Sequence, residues 1–201
     1  AVAAGVPSNV LRVHYRSRDE GLIAFSNARY YDGSLVTFPA PRAWGEAVRL
    51  HRVDGIYERG GSRTNPVEAK AVADFLVKRL RDELKKPEDG RETIGVVTFN
   101  IQQQQRILDH LDKARTDSEE LEWFFSDERE EPVIVKNLEN IQGDERDVMI
   151  FSTTFGRDAA GKLSMNFGPM NQDGGQKRLN VAVTRARREM HVFTSIDAND
   201  I

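Results

Sequence analysis

Arginine placement carries the most chemical information in this chain. From Gln176 to His191 the sequence runs QKRLNVAVTRARREMH. Read as one helix, this sets Leu179, Ala182, Val183 and Ala186 at i, i+3, i+4 and i+7, a single apolar stripe. Arg178 and Arg185 then project from nearly the same angle at the border of that stripe, and Arg187 and Arg188 point elsewhere. A guanidinium at the edge of a buried face is positioned by the packing beneath it, and can aim five fixed donors at an anion supplied from outside the domain. A surface helix with solvated arginines is the competing reading. Two further sets stand at element ends. His14, Tyr15 and Arg16 precede a predicted helix, where ligand contacts are common, although spacing alone favours a boundary aromatic and a solvated cation for Tyr15 and Arg16. Thr98, Asn100 and Gln103 follow a continuous β-branched run, TIGVVTF (93–99), of the kind buried in parallel sheets. The carboxyl ends of such strands face the crevice where α/β proteins bind ligands, yet a glutamine run also suits a solvated helix start.

The elements that must hold these residues are legible from pattern. Ser17 with Glu20 is a capping-box signature for a helix running to about Tyr30, and Asp32-Gly33 turns the chain. Leu35 to Pro41 ends in prolines, which restricts it to a short edge strand. Val48–Val53 alternates as a strand does. Tyr57–Thr64, with Arg59, Gly60, Gly61 and Arg63, reads as a flexible basic loop, a surface connection or a phosphate contact. Asn65-Pro66 with Glu68 opens a long helix with Val72, Phe75, Leu76 and Leu80 on its buried face. Residues 116–131 are acidic, with Trp123, Phe124 and Phe125 as a packing anchor. Val133–Val135 and Asp147–Thr154 read as strands, joined through a compact polar turn, Gln142-Gly143-Asp144-Glu145. Residues 157–175 form a connection long enough to suggest a functional or mobile loop. The strand–helix–strand alternation from 48 to 196 predicts an α/β fold with a mostly parallel central sheet flanked by helices.

Composition narrows the function. The 201 residues are 30% charged and 39% hydrophobic with a net charge of −3, which argues against a whole-surface nucleic-acid coat but allows a local basic groove. With no cysteine, disulfides and thiolate zinc sites are excluded, and a reducing, cytoplasmic setting is expected. No apolar run approaches the roughly 20 residues of a membrane span, and the opening AVAAGVPSNV reads as a cut inside a larger protein. The four histidines show no metal-ligand spacing and read as structural or incidental, so no metal site is expected. There is no GxxxxGK[ST] phosphate loop and no GxGxxG. Anion-aimed arginines without a phosphate cradle fit half of a shared site.

Four blocks then agree with one family. LRVHYRSR resembles the block that opens the second RecA-like domain of superfamily 1 helicases. IGVVTFNIQQQ resembles their motif IV region, NLENIQGDERDVMIFS their motif V and RLNVAVTRARREMHVF their motif VI. The blocks occur in the family's order and span residues 11–196. HYRSRDEGLIAFSN and KLSMNFGPMNQDGGQKRLNVAVTRAR are similar to large bacterial helicases of the branch that includes the nonsense-mediated-decay RNA helicases. The resemblance implies a RecA-like three-layer sandwich on the AAA/P-loop NTPase fold. Residues 1–201 would be a single second motor domain, with the first RecA-like domain, its phosphate loop and its magnesium-binding acid absent.

By the same resemblance, Tyr15 matches the aromatic that stacks on adenine and Arg16 the arginine that reaches the γ-phosphate. Glu145 matches the glutamate on the ribose hydroxyl, with Gln142 and Gly143 on the same nucleotide edge, and Arg185 matches the arginine finger. Thr98 and Asn137 stand where the family touches the nucleic-acid backbone, with Asn100 at the same strand end and Gln103 a weaker match. His14 replaces the usual glutamine, Ser17 a methionine, and Asn137 a serine or threonine. The implied activity is ATP-dependent movement on single-stranded DNA or RNA, using ATP with Mg²⁺ and the first RecA-like domain of the same polypeptide. A catalytically inactive nucleic-acid-binding or regulatory module on the same fold is the alternative.

Overall fold

The computed structural model of the protein describes residues 13–37, 39 and 46–200. In chain order its main elements are α1 (Gly21–Tyr30), β1 (Val48–Arg52), α2 (Pro66–Leu84), β2 (Ile94–Thr98), α3 (Ile101–Asp117), α4 (Glu122–Phe125), β3 (Ile134–Asn137), β4 (Arg146–Ser152), α5 (Gly175–Val183) and β5 (Ala186–Thr194). The strands form one sheet in the order β1-β5-β4-β2-β3, and every neighbouring pair is parallel.

Burial on both faces explains the unbroken apolar runs, because successive strand residues point to opposite sides. Ile94, Val96, Val148 and Ile150 pack with Val72, Leu76 and Leu80 of α2 and Ile107 and Leu111 of α3. Val97, Met149 and Phe151 face the other way, with Leu22 of α1 and Ala182 of α5. The result is an α/β three-layer sandwich. α2 starts as its sequence predicts: the Asn65 side chain accepts from the Glu68 amide, and Pro66 occupies the first turn. In β2 all five residues are buried.

The polar side chains at the carboxyl ends of the strands are largely spent inside the molecule. Glu68 Oε1 accepts from Ser152 Oγ and from the Thr154 amide, both at 2.6 Å. Gln103 accepts from the Asn65 amide at 2.9 Å and donates to Ser152 Oγ at 3.0 Å. This ties the starts of α2 and α3 to the end of β4. Connections leave β2 and β4 in opposite directions, toward β3 and β5, which sets the crevice of the sheet between them.

Residues 138–145 return the chain from the carboxyl end of β3 to the amino end of β4. Asn137 is level with Thr98, and Thr98 with Ser152, so this link must traverse most of the length of β4, roughly 20 Å. It makes two turns on the way, the Asn140 amide donating to the Asn137 carbonyl and the Asp144 amide to the Ile141 carbonyl. Leu138 and Ile141 are buried along its path, and Gly143, at φ +95°, makes the turn just before Glu145.

Several expectations are corrected. The helix predicted over 176–191 stops at Val183, and Ala186–Thr194 is strand. Ala186 satisfies both patterns, since it continues the helical stripe and also pairs with Arg146 at the start of the sheet. Arg178 and Arg185 therefore do not share a helix face; Arg178 donates to the Pro169 carbonyl. Ser17 is not a cap. Its hydroxyl donates to the Ala186 carbonyl at 3.2 Å, and α1 starts at Gly21, whose amide donates to Asp19. In 35–41, Val36 forms only a single bridge to Val13, and Phe38, Ala40 and Pro41 lie outside the described residues. The 57–64 loop is closed by bonds from Glu58 N to Thr64 O and from Arg63 N to Glu58 O, both 2.9 Å. The histidines were read as structural or incidental, and two are structural: His51 Nε2 and His191 Nδ1 are 2.9 Å apart, stitching β1 to β5. Burial and the neighbouring His191 hold His51 below its ordinary pKa.

Candidate functional site

The amino edge of the sheet gathers residues from three distant segments. Arg16, on the extended stretch before α1, pairs through Nε with Glu145 Oε2 at 2.5 Å. Glu145 directly precedes β4, and its other oxygen lies 3.7 Å from Arg187 of β5. Arg185 sits between α5 and β5. Its Nε donates to the Val181 carbonyl at 2.8 Å and its Nη2 to Thr184 Oγ1 at 3.0 Å, while the Thr184 hydroxyl itself donates to Val181 O. The end of α5 presents unpaired carbonyls and the negative end of the helix dipole, so it holds this cation. Nη1 is left without a protein partner among the described residues.

The electrostatics of this edge favour an incoming anion. Burial first, and then the charge of Arg16, holds the Arg185 guanidinium below its ordinary pKa. Burial, Arg16 and Arg185 together do the same to His14, which stays neutral at physiological pH. Arg187 is committed elsewhere, to Glu131 and Asp147, and the Glu131 bonds raise its pKa. Arg16 is paired with the Glu145 carboxylate, and Arg185 feels the charges of Glu145 and Asp144 through space. Tyr15 stands beside them, 81% exposed, an aromatic face open to a planar ligand. Gln142 and Gly143 are exposed on the adjoining turn.

The residues placed at the opposite edge by sequence divide into two groups. Thr98 and Gln103 have no exposed surface. Thr98 Oγ1 donates to the Asn100 carbonyl at 2.7 Å and Gln103 belongs to the Glu68 network, so both position the strand ends and neither presents a contact surface. Asn100 and Asn137 line a cleft of about 500 Å³ at the ends of β2 and β3. Asn100 caps α3 by accepting from the Gln103 amide, and Asn137 donates to Gln104 Oε1. The same cleft is lined by Arg59 and Arg63, which the sequence offered as a flexible basic loop, a surface connection or a phosphate contact. Its one legible signal was two cations flanking Gly-Gly.

A family model described as AAA domain matches residues 2–197. The chain belongs to the AAA domain family. Over 199 residues this AAA domain is 36% identical to the uncharacterized ATP-dependent helicase MG140 of Mycoplasma genitalium, a match covering 95% of the chain and 16% of that protein. The homolog of MG140 in Mycoplasma pneumoniae is 35% identical over 195 residues, again with 95% and 16% covered. The chain is therefore a helicase-type domain homologous to a segment of these proteins and spans about a sixth of their length. The C-terminal domain of a possible DNA helicase from Lactobacillus plantarum WCFS1 aligns over 90% of the chain and 86% of that structure, with 14% identity and a TM-score of 0.48. None of the AAA domain's described helices is long and apolar enough to cross a membrane.

Arg185 depends on Thr184 for its aim. Thr184→Val keeps the shape and removes both hydroxyl bonds, one of which holds the guanidinium. If the full-length protein hydrolyses ATP as proposed below, its turnover should fall roughly 5- to 10-fold, the worth of about one buried hydrogen bond. Thermal melting, run in parallel, should show a shift of only a few degrees; unchanged turnover would mean that Arg185 is held by its helix-end carbonyl alone.

Proposed function

We propose that this AAA domain is the second motor domain of an ATP-dependent helicase or translocase acting on single-stranded DNA or RNA. The observation that carries this reading is the convergence on one edge of Arg16, paired with Glu145, and Arg185, whose guanidinium feels the charges of both. ATP is the substrate that fits. Guanidinium forks match phosphate oxygens, Glu145 suits ribose hydroxyls and Tyr15 suits a purine face. The chain has no phosphate loop, and its described residues contain no cluster of three acidic or histidine side chains able to hold a metal. The triphosphate and Mg²⁺ are therefore seated by a first RecA-like domain of the same polypeptide, and this domain completes the site when the cleft between them closes.

During phosphoryl transfer, negative charge spreads over the equatorial oxygens, and Arg16 and Arg185 stabilise it. Arg16 must first leave Glu145, which frees that carboxylate for the ribose. The carboxyl edge, with Asn100 and Asn137, takes the strand. Contacts to its backbone carry no sequence information, so little sequence preference is expected. An inactive module on the same fold would have no use for all three charged residues at one edge.

The test is ATP hydrolysis by the full-length protein with and without single-stranded DNA or RNA. Turnover stimulated by the strand is expected, with residues 1–201 alone silent. Strand-stimulated hydrolysis by residues 1–201 alone would overturn the division of labour, and a full-length protein indifferent to either nucleic acid would overturn the motor.

A further inference from the structure

We infer that Arg59 and Arg63 form a phosphodiester clamp on the single-strand track, outside every sequence block that resembles the helicase motifs. The inference rests on the motor reading for the identity of the strand. It is carried by the cleft of about 500 Å³ at the carboxyl ends of β2 and β3, which both arginines line together with Asn100 and Asn137.

Four features distinguish these cations from ordinary surface charge. First, neither has a carboxylate partner among the described residues; others such as Arg29 and Arg49 share that state, but only Arg59 and Arg63 bring it to this cleft. The nearest acid in sequence, Glu58, is turned away to the Ser62 hydroxyl.

Second, the loop that carries them is built. Besides its internal bonds, Asn100 Nδ2 donates to the Arg63 carbonyl at 2.9 Å, fixing the loop to the end of β2. Asn100 thus serves three elements: it caps α3, receives the strand end and anchors the arginine.

Third, Arg63 adopts φ +57°, a left-handed conformation that costs a residue with a Cβ about 1 kcal/mol or more. Gly60 and Gly61 are three and two residues away, so the chain has glycine close by and still places arginine at the strained position. That expense is offset where the guanidinium is needed.

Fourth, the floor is apolar. The Tyr57 and Phe155 rings meet edge-on at 5.2 Å, and both are nearly buried. The charges of Arg63 and Arg59 both act on the Tyr57 phenol, although its burial has the larger effect and raises its pKa. Over such a floor a guanidinium–phosphate pair is screened less than in open water. Glu139 is the only carboxylate on the lining, so the two arginines leave the cleft net positive. An anionic, neutral-faced polymer fits this: phosphate against the arginines, sugar and base edges against Ser164 and Asn166.

The experiment measures binding of a fluorescent single-stranded oligonucleotide, as oligodeoxythymidine and as oligouridine, to the full-length protein across a series of salt concentrations. Each phosphate contact contributes about 0.7 to the log–log salt slope for single strands. Arg59→Ala with Arg63→Ala should weaken binding at least about tenfold and lower the slope by about 1.4. Arg63→Gly alone relieves the backbone strain, so the fold is kept, and should lower the slope by about 0.7. Unchanged affinity and slope in both variants overturn the clamp, while strand-stimulated ATP hydrolysis in the unmodified protein keeps the motor reading. The slope change without any strand-stimulated hydrolysis keeps the clamp as a strand site and overturns the motor. Displacement of the strand by excess inorganic phosphate, beyond that caused by chloride at equal ionic strength, shows a site for the free anion and overturns the clamp.

Discussion

Alanine at Arg185 is expected to lower ATP turnover of the full-length protein by roughly 10³–10⁵, or about 4–7 kcal/mol of transition-state stabilisation. On the proposed reading nucleotide binding should stay within a few fold, because the other domain would seat the triphosphate and the guanidinium would act mainly on charge that develops during transfer. The local structure explains why this residue is suited to the task. Nε and Nη2 are occupied by Val181 O and Thr184 Oγ1, which leaves Nη1 to point at an incoming group from a fixed position. Lysine at the same position should not rescue turnover, since an ammonium cannot bond the helix end and reach outward at once. Steady-state ATPase assays beside a fluorescent-nucleotide titration separate the two effects. Turnover near that of the unmodified protein would end the arginine-finger assignment.

The second large effect concerns stability and pH. Burial pushes the Glu68 carboxyl up to about 7 against the hydrogen bonds from Ser152 and Thr154, and its second oxygen has no partner. A folded-state value above the ordinary 4.5 means that the folded protein binds the proton more tightly than the unfolded chain does. The stability from this proton is complete below about pH 4.5 and is lost as pH rises through about 7, a loss of about 3 kcal/mol. Urea denaturation across this range should therefore show a stability decline from this group that Glu68→Gln removes, since the glutamine carbonyl still accepts from Ser152 and Thr154. An equal slope in the variant would place the titrating group elsewhere.

The fold was readable where local chemistry and tertiary demand agree. Asn65-Pro66-Val67-Glu68 is a helix start by capping, by proline and by dipole, and Ile94–Thr98 can only be a strand covered on both sides. The arginine edge was readable through resemblance, which named Arg16, Glu145 and Arg185 before geometry brought them together. Periodicity misled at Ala186, because one small apolar residue serves a helical stripe and a sheet register equally well, and only the pairing with Arg146 decides. Thr98 and Gln103 were assigned by position at a strand end, but sequence does not show which side of the backbone faces solvent. The tie between Asn100 and Arg63 crosses 37 residues and leaves no local trace.

The link over 138–145 joins Asn137 at one edge of the sheet to Glu145 at the other. Between those edges β2, β4 and β5 are hydrogen-bonded on both sides, so on the proposed motor reading the domain turns as a lever with an attachment at each end. A rotation that shifts the Arg16–Glu145–Arg185 edge must swing the Asn100–Asn137 edge the opposite way, with no refolding between them. The stroke is then set by the length of the sheet and by where the pivot lies. An added residue in 138–145 would introduce backlash into that lever while leaving both of its ends intact.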